Sequence, residues 1–353
     1  MVVSTVLNAV KKLSGVKENS LLPMTQLIGV KVNDRKVTLV RNDGTNTIQT
    51  SFNSDCNEDI DVSVSANQFI NLFKSLQQDM TIFMSKDNGN LVLRNNTMNF
   101  TLPAMCDETG EIKYPIIEGG EGTRFDIKSF KYYYNIAKHS VDENNLTTKL
   151  RNIYFGKHTL STNNYNLTSI KSTGLFDIPV LMPISLCNLI NECEKDEGTV
   201  SVDNLTITVS DGITTVQGKL SDEIVSYPAE AMEKFFDEEG ECALTVDVQK
   251  LVSAVNRVSV FCEDLVNKHI QMSLADGKVE LRSQKGSGRE VLTVEKVERG
   301  DKGKVILSTV LLQKFLKAYD TPTVTLRIGG KKLLGEKNGI NTLLLGVTGQ
   351  VYE

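Results

Sequence analysis

Three segments of the chain share one order of apolar and polar positions. They read VSVSANQFINLFKSLQ from Val62, VLMPISLCNLINECEK from Val180 and VILSTVLLQKFLKAYD from Val305. Each opens with alternating apolar residues, which predicts a strand, and then places apolar residues at i, i+3 and i+4, which predicts an amphipathic helix. A residue that could begin the helix stands between them: Ser65, Met182 or Ser308. The apolar triplets are Phe69, Leu72 and Phe73; Leu186, Leu189 and Ile190; and Leu312, Phe315 and Leu316.

A second pattern also occurs three times, in VTLVRNDGTNTIQTS from Val37, HTLSTNNYNLTSIKS from His158 and VELRSQKGSGREVLT from Val279. Each segment has a strand-like run, a polar turn and a second strand-like run, which predicts a β-hairpin. The alignment places Leu39, Leu160 and Leu281 at matching positions. A helical stretch precedes each hairpin, with an expected N-cap at Ser4, Asp126 or Asp247. These stretches are Ser4–Leu13, Asp126–Lys138 and Asp247–Val258.

The two patterns together predict three tandem copies of one α+β unit, in which two helices pack on antiparallel strands. We expect domain boundaries in the polar segments EGGEGTR from Glu118 and FFDEEGEC from Phe235, each preceded by a Tyr-Pro pair, Tyr114-Pro115 and Tyr227-Pro228. The predicted domains are therefore residues 1–120, 121–240 and 241–353. Each is long enough to bury a core of its own.

Composition narrows the class of protein. The 353 residues are 40% hydrophobic and 24% charged, with a formal net charge of -5, as in ordinary soluble domains. No run approaches the roughly 18 apolar residues of a membrane helix, and the N-terminus lacks the features of a signal peptide. The six cysteines form no CxxC pair, so we expect reduced, buried thiols in a cytoplasmic protein.

Signals for catalysis are weak. The three histidines, His139, His158 and His269, are scattered, and no phosphate loop, HExxH motif or Gly-x-Ser-x-Gly elbow is present. We therefore expect no enzymatic activity, no cofactor and no metal. Two functions of different class remain open: a protein that binds a polyanion such as DNA, and a repeat scaffold that binds proteins or peptides and does not encircle DNA.

The polar faces of the predicted helices carry amides and cations with few acids. Such faces are either ordinary solvated surface or one shared surface for a polyanion, because Lys and Asn suit phosphate contacts that do not depend on base sequence. The residues on these faces are Lys12, Asn71, Lys74, Lys128, Asn188, Asn191, Lys195, Asn256, Arg257, Lys314 and Lys317.

The threefold repeat, the order of helices and hairpins, LSTNNYNL from Leu160 and FTLPAM from Phe100 with its following Tyr-Pro resemble the bacterial-type DNA polymerase sliding clamp, the beta subunit of the replicative holoenzyme. The resemblance covers the whole chain, and the drift of single residues is typical of a phage-encoded or otherwise divergent member. It implies a head-to-tail homodimer in which six domains form a ring. Helices would line a hole for double-stranded DNA of any sequence, and the replicative polymerase and clamp loader would be partners.

The resemblance also implies a peptide-binding groove between the second and third domains. Carried over by position, the groove comprises Thr162, Tyr165, Asn166, Leu167, Tyr227, Pro228, Met232, Leu344, Leu345, Val347 and Thr348. The family's usual Thr-Asp-Gly-His-Arg-Leu reads TNNYNL here, so its basic pair is absent, and GVTGQVYE replaces the usual C-terminal motif. Ordinary strand packing is the alternative role for Tyr165 and Leu167.

The family's dimer contact uses the end of the first helix of the third domain. Val260 and Phe261 occupy that place. Either they form part of the dimer interface or they belong to the core of the third domain.

Overall fold

The computed structural model describes residues 1–114, 116–117, 122–172, 174–262, 268–283, 286–300 and 302–347. Pro115 and Thr348, which the sequence analysis singled out, lie outside the described residues, as does part of the first predicted boundary. The described chain combines helices with antiparallel sheets, which confirms the α+β class. Its order of elements recurs in three successive parts.

The first part holds two helices and a series of strands that are short on average. The helices are α1 (Val3–Lys12) and α2 (Ala66–Ser75). The strands are β1 (Leu27–Asn33), β2 (Lys36–Asn42), β3 (Thr47–Asn53), β4 (Ile60–Ser65), β5 (Phe83–Asp87), β6 (Asn90–Arg94), β7 (Asn99–Leu102), β8 (Cys106–Asp107) and β9 (Gly110–Glu111).

The second part repeats this order and is followed by a short linker helix. The helices are α3 (Ile127–Ala137), α4 (Ile184–Ile190) and, in the linker, α5 (Ala229–Glu233). The strands are β10 (Thr123–Asp126), β11 (Asn152–Phe155), β12 (His158–Thr162), β13 (Asn166–Lys171), β14 (Val180–Pro183), β15 (Glu197–Asp203), β16 (Thr206–Ser210) and β17 (Thr214–Lys219).

The third part has a similar order, with one more strand between its two helices. The helices are α6 (Val248–Ser259) and α7 (Thr309–Leu316). The strands are β18 (Cys242–Asp247), β19 (His269–Ala275), β20 (Lys278–Ser283), β21 (Arg289–Thr293), β22 (Lys296–Arg299), β23 (Lys302–Ser308), β24 (Thr323–Gly329), β25 (Lys332–Lys337) and β26 (Ile340–Leu345).

Side-chain caps begin four of the helices where the sequence predicted them. Each capping oxygen accepts a hydrogen bond from the backbone N–H three residues ahead, which satisfies a donor that the first helical turn leaves free. The donor–acceptor distances are 3.4 Å at Ser65, 2.9 Å at Asp126, 2.8 Å at Asp247 and 3.5 Å at Ser308.

The expected caps at Ser4 and Met182 are wrong. Helix α1 already begins at Val3, and the backbone N–H groups of Val3 and Ser4 donate to the carbonyls of Met80 and Gln78, each at 2.9 Å. Backbone carbonyls of a distant segment therefore accept the hydrogen bonds that a capping side chain would otherwise accept. Met182 lies inside β14 rather than at a helix start.

The predicted hairpins are present as β2–β3, β12–β13 and β20–β21. The first two turn in the same way: Asp43 N–H donates to the Asn46 carbonyl at 3.0 Å, and Asn163 N–H donates to the Asn166 carbonyl at 3.1 Å. These turns align Leu160 with Val40, so the predicted match with Leu39 is wrong by one residue. Strand β2 is buried on both faces, and its apolar pattern therefore does not define the register.

The described strands form sheets that cross the predicted boundaries. The largest ones have the orders β10-β15-β16-β17-β3-β2-β1-β4 and β14-β11-β12-β13-β26-β25-β24-β18-β22. Strand β17 pairs with β3, and β13 pairs with β26. The middle part therefore contributes one set of strands to each large sheet. Smaller sheets have the orders β21-β20-β19-β23, β5-β6-β7 and β8-β9.

This pairing organises the chain into two compact units. The first comprises Met1–Phe130 with Ser185–Leu220, and the second comprises Lys131–Ile184 with Ser221–Glu353. The division into three domains stays a prediction.

The cores consist of aliphatic and phenylalanine side chains, among which Phe69, Phe73, Phe125, Phe130 and Phe315 are at most 2% exposed. Four of the six cysteines are buried as expected, but Cys56 is half-buried and Cys106 is exposed. Among the helices in the described ranges, none is both long and apolar enough to cross a bilayer.

Candidate DNA-facing helices and partner-binding face

In the first unit, the cations expected to face DNA differ in their surroundings. The ammonium group of Lys12, whose side chain is 10% exposed, lies 2.9 Å from the Glu194 carboxylate. Lys74 is exposed on α2, with Asn71 one turn earlier on the same helix. Lys128 is exposed near the start of α3, and hydrogen bonds from Ser129, supported by the Lys128 charge, lower the pKa of Asp126. Lys12 is therefore neutralised by its partner, whereas Lys74 remains an accessible cation.

Lys195 does not extend α4 as the sequence pattern suggested, because this helix ends at Ile190. The carboxylate of Asp211 accepts hydrogen bonds from the backbone N–H groups of Glu194 and Lys195, at 2.5 and 3.2 Å, and so fixes a turn after the helix. Lys195 is exposed on this turn. Asn188 lies on the helix and Asn191 just beyond it, and both are half-buried.

In the second unit, Arg257 is paired with an acid. Its guanidinium donates to both carboxylate oxygens of Glu290, at 3.0 and 2.6 Å, and this pairing raises the pKa of Arg257 and lowers that of Glu290. The side chain of Asn256 accepts a hydrogen bond from Gln313 at 2.6 Å, which joins α6 to α7. Both predicted residues therefore have partners within the protein.

Lys314 and Lys317 belong to a cluster of positive groups. Within the described ranges, no Asp or Glu carboxylate lies within 4 Å of Lys314, Lys317 or Lys74. Burial, together with the charges of Lys138, Lys317 and Lys314, lowers the pKa of His139 to about 4. Lys138 lies 5.2 Å from the centre of the Tyr134 ring. Lys138 was not among the predicted residues, although it ends the helical stretch that the sequence predicted.

The predicted groove residues fall on two faces of the large sheet of the second unit. Leu167 lies opposite Leu343, and Leu343 lies opposite Leu334. Cross-strand partners share a face, so these leucines form one row, which we call the leucine row. Because successive residues alternate, Asn166 and Leu344 lie on the other face, where the Asn166 amide donates to the Leu311 carbonyl of α7 at 3.3 Å.

The β12–β13 turn presents Tyr165 to solvent. The hydroxyl of Thr162 donates to the Asn166 carbonyl at 2.8 Å and accepts from Asn164 N–H at 3.1 Å, so this threonine holds the turn. Tyr165 is 61% exposed, and its carbonyl accepts from the N–H of Leu345, which is 42% exposed. Val347 is half-buried at the end of the described chain. The alternative role of ordinary strand packing therefore does not describe Tyr165, which is exposed, whereas Leu167 is buried.

The linker contributes the other predicted groove residues. Tyr227 stacks on Tyr154 with ring centres 5.4 Å apart, and it packs with Leu160 and Leu181. Burial raises the pKa of the Tyr227 phenol well above its ordinary value. Beside this stack lies an open pocket of about 590 Å³. Its lining residues include Tyr154, Pro179, Tyr227, Pro228 and Ala229.

The leucine row itself is covered. Phe236 is buried with Leu167, Leu334 and Leu343, and Met232 packs against this cluster and also against that of Tyr227. This contact was not predicted, because the segment around Phe236 has the sequence of a polar domain boundary. The segment is acidic, and a single buried aromatic gives no periodic signal.

The predicted dimer residues lie just beyond α6. Val260 is 75% and Phe261 is 51% exposed, so neither is a core residue. Phe261 packs closely on Gly288, where an added Cβ would lie 2.8 Å from the Cβ of Phe261. Edge strand β21 follows Gly288 directly. The position is suitable for an interface, and the interface itself stays a prediction.

Comparison with known proteins relates the fold to one family. No family model and no curated protein matches the sequence. A DNA polymerase sliding clamp from Pseudomonas aeruginosa matches with a TM-score of 0.83, 16% identity and 98% of both chains covered. The beta subunit from DNA polymerase of Streptococcus pyogenes matches with a TM-score of 0.84, 14% identity and 98% of both chains covered.

A Helicobacter pylori beta clamp bound to a DNA ligase peptide also matches, with a TM-score of 0.80, 15% identity and 99% of both chains covered. The resemblance found in the sequence is thus confirmed at the level of fold, with identities low enough to indicate wide divergence. The chain has the fold of the bacterial DNA polymerase III beta sliding clamps.

Proposed function

We propose that the protein is a DNA sliding clamp, a processivity factor that encircles duplex DNA and tethers the replicative polymerase. The observation that carries this proposal is the match to sliding clamps over 98% of both chains. A match of this extent includes the whole architecture rather than a shared motif. The protein would act as a non-enzymatic tether in the cytoplasm.

The assembled form in this proposal is a head-to-tail homodimer. Each chain supplies three domains, residues 1–120, 121–240 and 241–353, and two chains make a ring of six. Val260 and Phe261 would lie at the contact between chains, because two adjacent exposed apolar residues next to an edge strand favour burial by a partner.

DNA would be held by topology rather than by affinity. Lys74, Lys314 and Lys317 lack acidic partners among the described residues and would contact phosphates, whereas Lys12 and Arg257 are already paired. Few phosphate contacts give a weak, salt-sensitive interaction that permits sliding. The clamp loader would be needed to open the ring.

Partner proteins would bind at the outer face of the sheet in the second unit. The structural relative from Helicobacter pylori is bound to a ligase peptide. In this chain Tyr165, Leu345 and the pocket beside Tyr227 offer exposed aromatic and apolar surface on residues that the family resemblance assigns to the groove. Aromatic and apolar anchors of this kind are typical of peptide recognition. The scaffold alternative, which binds proteins but not DNA, has no observation in its favour.

The proposal is tested by measuring whether the protein leaves DNA once the DNA has free ends. The protein would be loaded onto nicked circular DNA by its own clamp loader, isolated with the circles, and the circles then cut once. A ring should be lost upon cutting and retained on uncut circles. Retention on linear DNA at the same level would contradict encirclement and indicate a surface binder.

A further inference from the structure

The linker between the second and third parts crosses the large sheet of the second unit on the face that carries the leucine row. We call Ala229–Phe236, which comprises α5 and the turn after it, the strap. Tyr227 precedes the strap and packs over Leu160 and Leu181, near one edge of the sheet. At the strap's end, the Phe236 carbonyl accepts a hydrogen bond from Arg327 at 3.3 Å. The strap therefore spans the sheet from the side of β14 to β24.

Two apolar side chains of the strap pack on the leucine row. Phe236 is buried with Leu167, Leu343 and Leu334, and Met232 packs against the same cluster. Met232 and Phe236 are four residues apart, which is one helical turn. The strap thus covers Leu167, which the family resemblance assigns to the peptide-binding groove, with two apolar side chains.

Besides this apolar packing, polar contacts of Glu233 hold the strap to the sheet. The carboxylate of Glu233 accepts a hydrogen bond from the Ser169 hydroxyl at 2.6 Å and lies 3.4 Å from Nδ1 of His158. Within the strap, Met232 N–H donates to the Pro228 carbonyl at 3.0 Å. A helix of five residues has too few internal bonds to persist without its contacts to the sheet.

Closure of the strap also leaves polar atoms unsatisfied. Within the part of the chain that the structure describes, Tyr227 Oη and Arg327 Nε are buried without a hydrogen-bond partner. Arg327 contacts the strap through the Phe236 carbonyl, and Tyr227 precedes Pro228, which adjoins the strap. Unsatisfied buried groups of this kind are unfavourable, and opening of the strap would return them to water.

An accessible pocket lies beside the first turn of the strap, away from Phe236. The open pocket of about 590 Å³ is lined by Tyr154, Tyr227, Ala229 and Ala231, so it adjoins the strap's first turn. A peptide could occupy this pocket before the strap moves. The leucine row would become accessible only afterwards.

We propose that the strap is a displaceable lid, and that a partner peptide with two apolar side chains binds by replacing Met232 and Phe236 on the leucine row. This inference rests on the proposed function, since it concerns the partner site of a clamp. The peptide must supply apolar side chains in place of those of the strap. Its apparent affinity equals its affinity for the open form multiplied by the fraction of molecules in which the strap is open.

Peptide affinity tests the lid. The probe is a short fluorescent peptide with two apolar side chains, a leucine and a phenylalanine; its control has serine at both of these positions. Glu233→Ala removes the bond to Ser169, and Phe236→Ala removes the competing side chain. Each should tighten binding of the probe about three- to ten-fold by fluorescence anisotropy. Phe235→Ala is the matched variant, because Phe235 is 51% exposed and should leave binding unchanged.

Hydrogen exchange gives a second measurement that does not depend on these variants. In the wild-type protein the amide of Met232 should exchange faster than that of Leu343, and the probe should accelerate exchange across the strap. Weaker binding by Phe236→Ala together with unchanged binding by Glu233→Ala would overturn the lid and make Phe236 part of the binding floor. Absence of probe binding in all variants would also overturn it. Release of the protein from cut circles is measured separately, so failure of the clamp function would be recognised independently.

Discussion

The ammonium group of Lys12 lies 2.9 Å from the carboxylate of Glu194, although the two residues belong to different predicted domains. The Lys12 side chain is 10% exposed and that of Glu194 is 51% exposed. A cation that projects from a polar helix face in the sequence is therefore already compensated in the fold.

Removal of the acid should destabilise the protein more than removal of the pair. Glu194→Ala leaves the charge of Lys12 largely buried and unpaired, and we expect a loss of about 1–2 kcal/mol in the free energy of unfolding, moderated by the exposure of Glu194. The double variant Glu194→Ala with Lys12→Met should recover most of this loss, because methionine fills the space without a charge. Urea unfolding measures both values, and an equally unstable double variant would contradict the pairing argument.

Charge reversal of the unpaired lysines should impair retention on DNA. Replacement of Lys74, Lys314 and Lys317 by glutamate substitutes repulsion for phosphate contact, and we expect loading onto nicked circles to fall on the order of ten-fold at moderate salt. The matched control reverses Lys36, Lys157 and Lys278, which are exposed at strand ends and turns. Equal loss in both variants would show that net charge, rather than these positions, governs loading.

The apolar pair beyond α6 should control assembly. Val260→Ala with Phe261→Ala removes two exposed apolar side chains, and we expect the dissociation constant of the dimer to rise about 100-fold. Sedimentation velocity over a concentration series would measure this change. Leu146→Ala is the control, because Leu146 is 97% exposed and lies in another loop. An unchanged dimer in the double variant would reject the predicted interface.

His139 should make stability depend on pH. Burial and the charges of Lys138, Lys317 and Lys314 hold its pKa at about 4 in the folded state, below the ordinary value of 6.5. The unfolded chain therefore binds the proton more readily, and stability should fall as pH decreases from about 6.5 to about 4. Because the group is partly exposed and solvent screens its charge, we expect the free energy of unfolding to fall by about 1 kcal/mol over this range.

The variant His139→Gln should remove this contribution from the pH profile of urea unfolding. Comparison of the two profiles between pH 7 and pH 4 isolates the histidine from carboxylates that titrate in the same range. Parallel profiles for variant and wild type would contradict the assigned cause.

Local patterns predicted the helices and hairpins because their causes are local. The triplet of Leu312, Phe315 and Leu316 is buried on α7 as its spacing required, and the cap at Asp247 forms with the next turn of its own helix. The start of α1 was not predictable in this way, since its N–H groups bond to carbonyls at Gln78 and Met80. The predicted alignment of Leu39 was also wrong, because β2 is buried on both faces.

The candidate site was only partly predictable. The helix faces indicated Lys74, Lys314 and Lys317, but spacing along one helix cannot show which cations meet an acid from elsewhere. Arg257 meets Glu290 and Lys12 meets Glu194 through contacts between distant segments. Likewise, the row of Leu167 and Leu343 joins strands from different parts of the chain.

Periodicity and capping are properties of neighbouring residues, so the amino-acid order alone established the repeated elements, the α+β class and the resemblance to sliding clamps. The folded chain decided which charges are neutralised, which face of β26 is covered and that Phe236 lies over the leucine row. These outcomes depend on contacts between residues far apart in the chain, and only their three-dimensional packing determines such contacts.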